Sequence, residues 1–162
     1  GYNTVIVKRA KDDAAAHGWR EIPFGMECQE AVNQTRDQVA SLPWGEFKRI
    51  VIPVGSGMSL SGLLWGLEEE EVPVLGVVVG ADPTARLDKW APSDWRDRVT
   101  LVASGKDYHA EVAGSLGDLL LDPVYEAKCL PFLEEGDLLW VTSSSPALPT
   151  STWSSTATTP RT

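Results

Sequence analysis

The stretch Arg49–Leu67, RIVIPVGSGMSLSGLLWGL, constrains the fold more than any other part of this chain. An apolar, β-branched run from Ile50 to Val54 breaks off at Gly55-Ser56-Gly57, and a second apolar segment begins near Ser59. A short run of that kind reads as a buried strand. The glycines at its end permit a tight turn and close backbone approach of a ligand. Ser59 is expected to cap the following helix, whose first free N–H groups then point back into the turn. Such a junction attracts anions, phosphate above all, because the orphan donors and the helix dipole act together. The hydroxyls of Ser56 and Ser59 suit the same oxygens. The spacing matches neither the Walker pattern nor GxGxxG, and no Lys follows the glycines. A phosphate site and a plain strand-to-helix turn both fit the residues.

The rest of the chain alternates between the two kinds of segment. Thr4–Val7 reads as a short β-branched strand, and Lys11–His17 as an alanine-rich helix stopped by Gly18. Trp19–Pro23 suits a short extended piece. Glu27–Leu42 has the spacing of an amphipathic helix, with Ala31, Val32, Thr35, Val39 and Leu42 on one stripe and Pro43 ending it. After the glycine turn, Ser61–Leu67 continues as helix, with Gly62 allowing close packing on the sheet. Glu68–Glu71 reads as a solvated helix end. Val74–Val79 is a second continuous apolar strand, and two of these joined through a helix indicate a parallel sheet covered on both faces.

Asp82-Pro83-Thr84 marks a turn, Trp90–Arg98 a polar excursion, and Val99–Val102 a third strand. Ser104–Gly117 reads as a loop carrying Tyr108 and His109. Asp122-Pro123 opens a helix expected to run to about Leu133, with Asp122 as its cap. Asp137–Val141 is the last strand. The fold class is therefore α/β, a parallel twisted sheet flanked by helices. Residues 1–142 form the domain. Residues 143–162 form a Ser/Thr/Pro-rich tail, expected to be disordered because it has too little apolar surface to offset its ordering entropy.

Charge and cysteine content narrow the partners. A net charge of −9 over 162 residues argues against nucleic acid or an anionic membrane as the partner. Cys28 and Cys129 form no CxxC pair, and with only His17 and His109 beside them no metal site is expected. They read as reduced, partly buried thiols. No apolar run approaches the roughly 18 residues of a membrane span, so a cytoplasmic location is expected.

Leu119–Leu133, LLLDPVYEAKCLPFL, resembles the DPVYEGK-type segment of the 1-aminocyclopropane-1-carboxylate deaminases and the related D-cysteine desulfhydrases. Asp122, Pro123, Val124, Tyr125, Glu126 and Lys128 match in order. Upstream, GSGMSLSGL resembles that family's GSGGTxAGL loop. Together the motifs look like the C-terminal half of a pyridoxal-phosphate enzyme of the tryptophan-synthase β fold type. The resemblance implies that Gly55, Ser56, Gly57, Met58, Ser59 and Leu60 hold the cofactor phosphate. It implies Glu126 against the pyridine nitrogen, where a carboxylate favours the protonated, electron-withdrawing ring. Glu126 leans to the deaminases, since the desulfhydrases have Thr there. Tyr125 falls on the family's active-site tyrosine, a proton-transfer group or nucleophile.

The family's Schiff-base lysine has no counterpart. None of Lys8, Lys11, Lys48, Lys89, Lys106 or Lys128 occupies a matching context. The Thr-Gly-Gly stretch after the last strand is also missing. The expectation is a deaminase- or lyase-like protein for a small amino acid, inactive until a companion chain supplies the lysine-bearing half. Any pyridoxal phosphate on this chain alone is expected to be non-covalent. The alternatives are a non-catalytic module for a phosphorylated ligand and an interaction domain, either able to form a homo-oligomer.

Overall fold

The computed structural model describes residues 2–67 and 70–142. The tail at 143–162 and part of the acidic run after Leu67 lie outside the described residues. Four parallel strands form the central sheet: β1 (Arg49–Val54), β2 (Val74–Val78), β3 (Val99–Ala103) and, numbered in chain order after a small hairpin, β6 (Asp137–Leu139). Their order is β3-β2-β1-β6. The hairpin pairs β4 (Ser115–Leu116) with β5 (Leu119–Leu120). This is the expected α/β class.

β1 is buried along its length, which is why it reads as an unbroken apolar run. Its side chains alternate between two cores. Ile50, Ile52 and Val54 face a cluster with Leu60, Leu63, Leu64, Leu87 and Trp95, supplied by the helices. Val51 faces the other way, with Leu75, Val77, Ala127, Cys129 and Leu139. The first face is covered by α3 (Met58–Gly66), α4 (Thr84–Trp90) and α5 (Trp95–Arg98), with α2 (Gln29–Ala40) packed on α3. The second face is covered by a 3₁₀ segment, Glu126–Phe132.

Several expectations change. Thr4–Val7 is not a strand but part of α1 (Tyr2–His17), which Gly18 stops at φ +66°. A strand there would leave its backbone unpaired, whereas the alanine-rich segment behind it extends a helix that satisfies its own groups. Trp19–Pro23 pairs with no strand among the described residues. Gly62 opens the way for α2 rather than the sheet: a Cβ there would lie 2.5 Å from Thr35 Cβ and 2.7 Å from the Val32 carbonyl oxygen. The excursion after Trp90 contains a helical turn with Trp95 buried and its indole N–H on Asp88. The helix expected from Pro123 is the tighter 3₁₀ segment, and Pro131 inside it is one reason, since proline cannot donate the i→i−4 bond.

β6 stops at Leu139 instead of Val141, and Pro53 explains it. Trp140 N–H donates to the Val51 carbonyl at 2.8 Å, so the next rung of the parallel ladder falls to the N–H of residue 53. Proline has none, and the strands part there. Among the described residues no helix is long and apolar enough to cross a membrane.

Candidate functional site

Where β1 and β6 part, a cleft of about 1000 Å³ opens at the carboxyl end of the sheet. Chain order also reverses here, since β2 and β3 lie on one side of β1 and β6 on the other. Open α/β sheets collect their ligands at such points. Gly55, Ser56, Gly57, Met58, Ser59 and Leu60 all line the cleft, and so does Tyr125. The two stretches singled out in the sequence therefore meet.

The meeting is close. A Cβ on Gly55 would lie 2.8 Å from Tyr125 Cε1 and 3.0 Å from its hydroxyl, so only glycine leaves room for the phenol. Gly57 has a different reason: its φ of +87° is left-handed, and a Cβ would press on Pro83 and Leu87 at 3.3 Å each. The glycine thus serves backbone shape and the packing of α4. The helix is capped by Gly57, not by Ser59, which lies inside the first turn. An α-helix has no internal acceptor for the N–H groups of Met58, Ser59 and Leu60. Ser56 Oγ donates to the Gly25 carbonyl at 3.1 Å and accepts from Met58 N–H at 3.4 Å. It joins the turn to the segment Phe24–Met26, which forms another wall of the cleft.

Tyr125 does not stand alone. Its hydroxyl is 3.0 Å from that of Tyr108, with the rings edge-to-face at 6.0 Å. Burial, followed by the Tyr108 hydrogen bond, pushes the Tyr125 phenol well above its ordinary pKa, so it stays protonated. Tyr108 and His109 line the same cleft, their rings 5.0 Å apart. The loop holding them is stapled by Lys128. This buried ammonium donates to the carbonyls of Asp107 at 2.8 Å and Tyr108 at 2.9 Å. Asp122 Oδ1 accepts from the N–H groups of Val124 and Tyr125, fixing the turn that presents the tyrosine.

Glu126 is fully buried. Its Oε1 accepts from both the N–H and the hydroxyl of Thr142 at 2.7 Å. Thr142 N–H is the donor that a continued β6 ladder would have aimed at Pro53. The carboxylate takes it over and holds Thr142 in the cleft wall. Glu126 thus sits behind that wall, while Tyr125 lies in it. Among the described residues that line the cleft there is no lysine, and none of them form a His/Cys/Asp/Glu group able to hold a metal. Tyr108, His109, Arg86 and Thr142 are cleft residues that sequence reasoning gave no role. Of these, the sequence marks only Tyr108 and His109, as residues of the loop Ser104–Gly117.

Comparison with family models, curated proteins and solved structures found no match.

Proposed function

We propose that this chain carries the phosphate-holding part of a pyridoxal-phosphate-dependent, deaminase- or lyase-like site for a small amino acid. The observation that carries the reading is the seat of Tyr125 directly over Gly55, which joins the glycine turn and the DPVYE segment in one cleft. The phosphate end suits the cofactor. The first-turn N–H groups of α3 and the Ser59 hydroxyl are the type of donor set that takes a phosphate. The ring end is a poorer fit, because Glu126 is buried behind the cleft wall and its Oε1 already holds Thr142. When bound, the cofactor would supply an electron sink for a carbanion. This chain's own part would be to bind the phosphate and to present the Tyr125 hydroxyl, paired with that of Tyr108, as a hydrogen-bonding group to the ligand.

With no lysine in the described cleft wall, the covalent tether would come from another segment or a companion chain. The same observation favours a second reading, a non-catalytic module for a phosphorylated ligand. Titration of the purified chain with pyridoxal phosphate, followed by absorbance, separates them. A saturable spectral change that inorganic phosphate reverses and borohydride does not trap is expected, with turnover of 1-aminocyclopropane-1-carboxylate or D-cysteine only after a lysine-bearing partner is added. Phosphate binding without any cofactor spectrum would select the module. Absence of both would remove the reading.

A further inference from the structure

The lining of the cleft runs against the charge of the chain. The sequence carries 23 Asp and Glu against 14 Lys and Arg. Yet no Asp or Glu lines the cleft among the described residues, and Arg86 does. Arg86 also borders an adjoining hollow of about 450 Å³, whose wall includes Glu27. An acidic protein that keeps its carboxylates out of a cleft of this size leaves that cleft suited to an anion.

The guanidinium is only half used. Its Nε donates to Glu27 Oε2 at 3.1 Å, and among the described residues neither terminal amino group has a hydrogen-bond partner. Glu27 is a firm anchor: Lys89, Trp90 and Arg86 all donate to it and hold its carboxyl down at about 2. It therefore stays ionised at neutral pH. A guanidinium fixed through Nε keeps a planar pair of donors for two oxygens of one group. The neighbouring residue, Leu87, is seated against Gly57, and Arg86 lines the same cleft as the turn.

We propose that Arg86 is the anion-reading side chain of this cleft, meeting the phosphate of a phosphate-bearing ligand with its two terminal amino groups while Glu27 positions it. The inference rests on the same phosphate reading of the turn, and it supplies the cation that the sequence lacks after its glycines. Calorimetric titration of the full chain with inorganic phosphate, pyridoxal phosphate and pyridoxal tests it.

Arg86→Gln should weaken both phosphate-bearing probes roughly ten- to a hundredfold and leave pyridoxal unchanged. Arg86→Lys should recover part of the loss. Glu27→Gln should cost less than about threefold, because Arg86 remains. Equal binding by Arg86→Gln and wild type would overturn the assignment, as would a loss in Glu27→Gln as large as in Arg86→Gln. Wild-type binding of acetate but not phosphate would also overturn it. Arg86-dependent binding of inorganic phosphate without pyridoxal phosphate would leave the assignment standing and sink only the cofactor reading.

Discussion

Two walls of the cleft are built on opposite principles. The inner wall, β1 with the turn and α3, is locked from every side: Ile52, Leu63 and Leu64 have no exposed surface, and Gly62 and Gly66 admit α2 to contact distance. The outer wall, Phe24–Met26, and the residues just before it are apolar but open. Phe24, Met26, Ile22 and Trp19 are all exposed, Ile22 at 73%. It is held by the Ser56–Gly25 hydrogen bond and by Glu27 in its three-donor clasp. Gly25 and Met26 both adopt left-handed backbone, a local strain that the inner wall avoids outside its one glycine cap. Apolar composition alone does not make a wall rigid; burial on several sides does.

The contrast can be broken first at the inner wall. Ile52→Ala removes buried methyl groups from a site that cannot collapse, and should cost about 2–5 kcal/mol in a urea unfolding curve. A loss under about 1 kcal/mol would mean the core is looser than its burial implies. The clasp is the next level. Glu27 has its pKa lowered from 4.5 to about 2, so its contribution is complete above about pH 4.5 and fades as the pH falls towards 2. Glu27→Gln should therefore lower stability at pH 7 by less than about 1 kcal/mol, and the gap to wild type should close near pH 2. A gap that widens in acid would reverse the sign and refute the clasp. The smallest effect belongs to the open side: Ile22→Ser should change stability by no more than about 0.5 kcal/mol. A larger loss would show that this surface is covered in solution.

The same contrast explains what was legible in the sequence. β1 and β2 appear as apolar runs because a strand buried on both faces needs apolar side chains. The edge strands β3 and β6 are only partly buried and are legible from shorter apolar runs. The glycine turn and Tyr125 were legible as separate motifs, but their contact was not, since nothing in the sequence tells Gly55 which side chain will fill its missing Cβ. Arg86 was hidden for a related reason: it lies in a charged stretch, ARLDKW, that reads as a solvated face. Thr4–Val7 misled because β-branched residues report a preference that a missing neighbour strand overrides. The end of β6 depended on Pro53, far upstream, whose effect lies on the neighbouring strand.

The pairing of Arg49 with Asp137 has a consequence for synthesis. The guanidinium and the carboxylate, bonded at 3.0 and 2.6 Å, are 88 residues apart in the chain. A chain leaves the ribosome from its N-terminus, and at ordinary elongation rates those residues are made several seconds apart. During that interval β1 can pair with β2, but its other edge has no strand beside it. An open edge of alternating donors and acceptors is the kind that recruits foreign strands. The nascent protein is thus most exposed to misassembly just before β6 emerges, and that strand also brings Thr142 to the cleft wall.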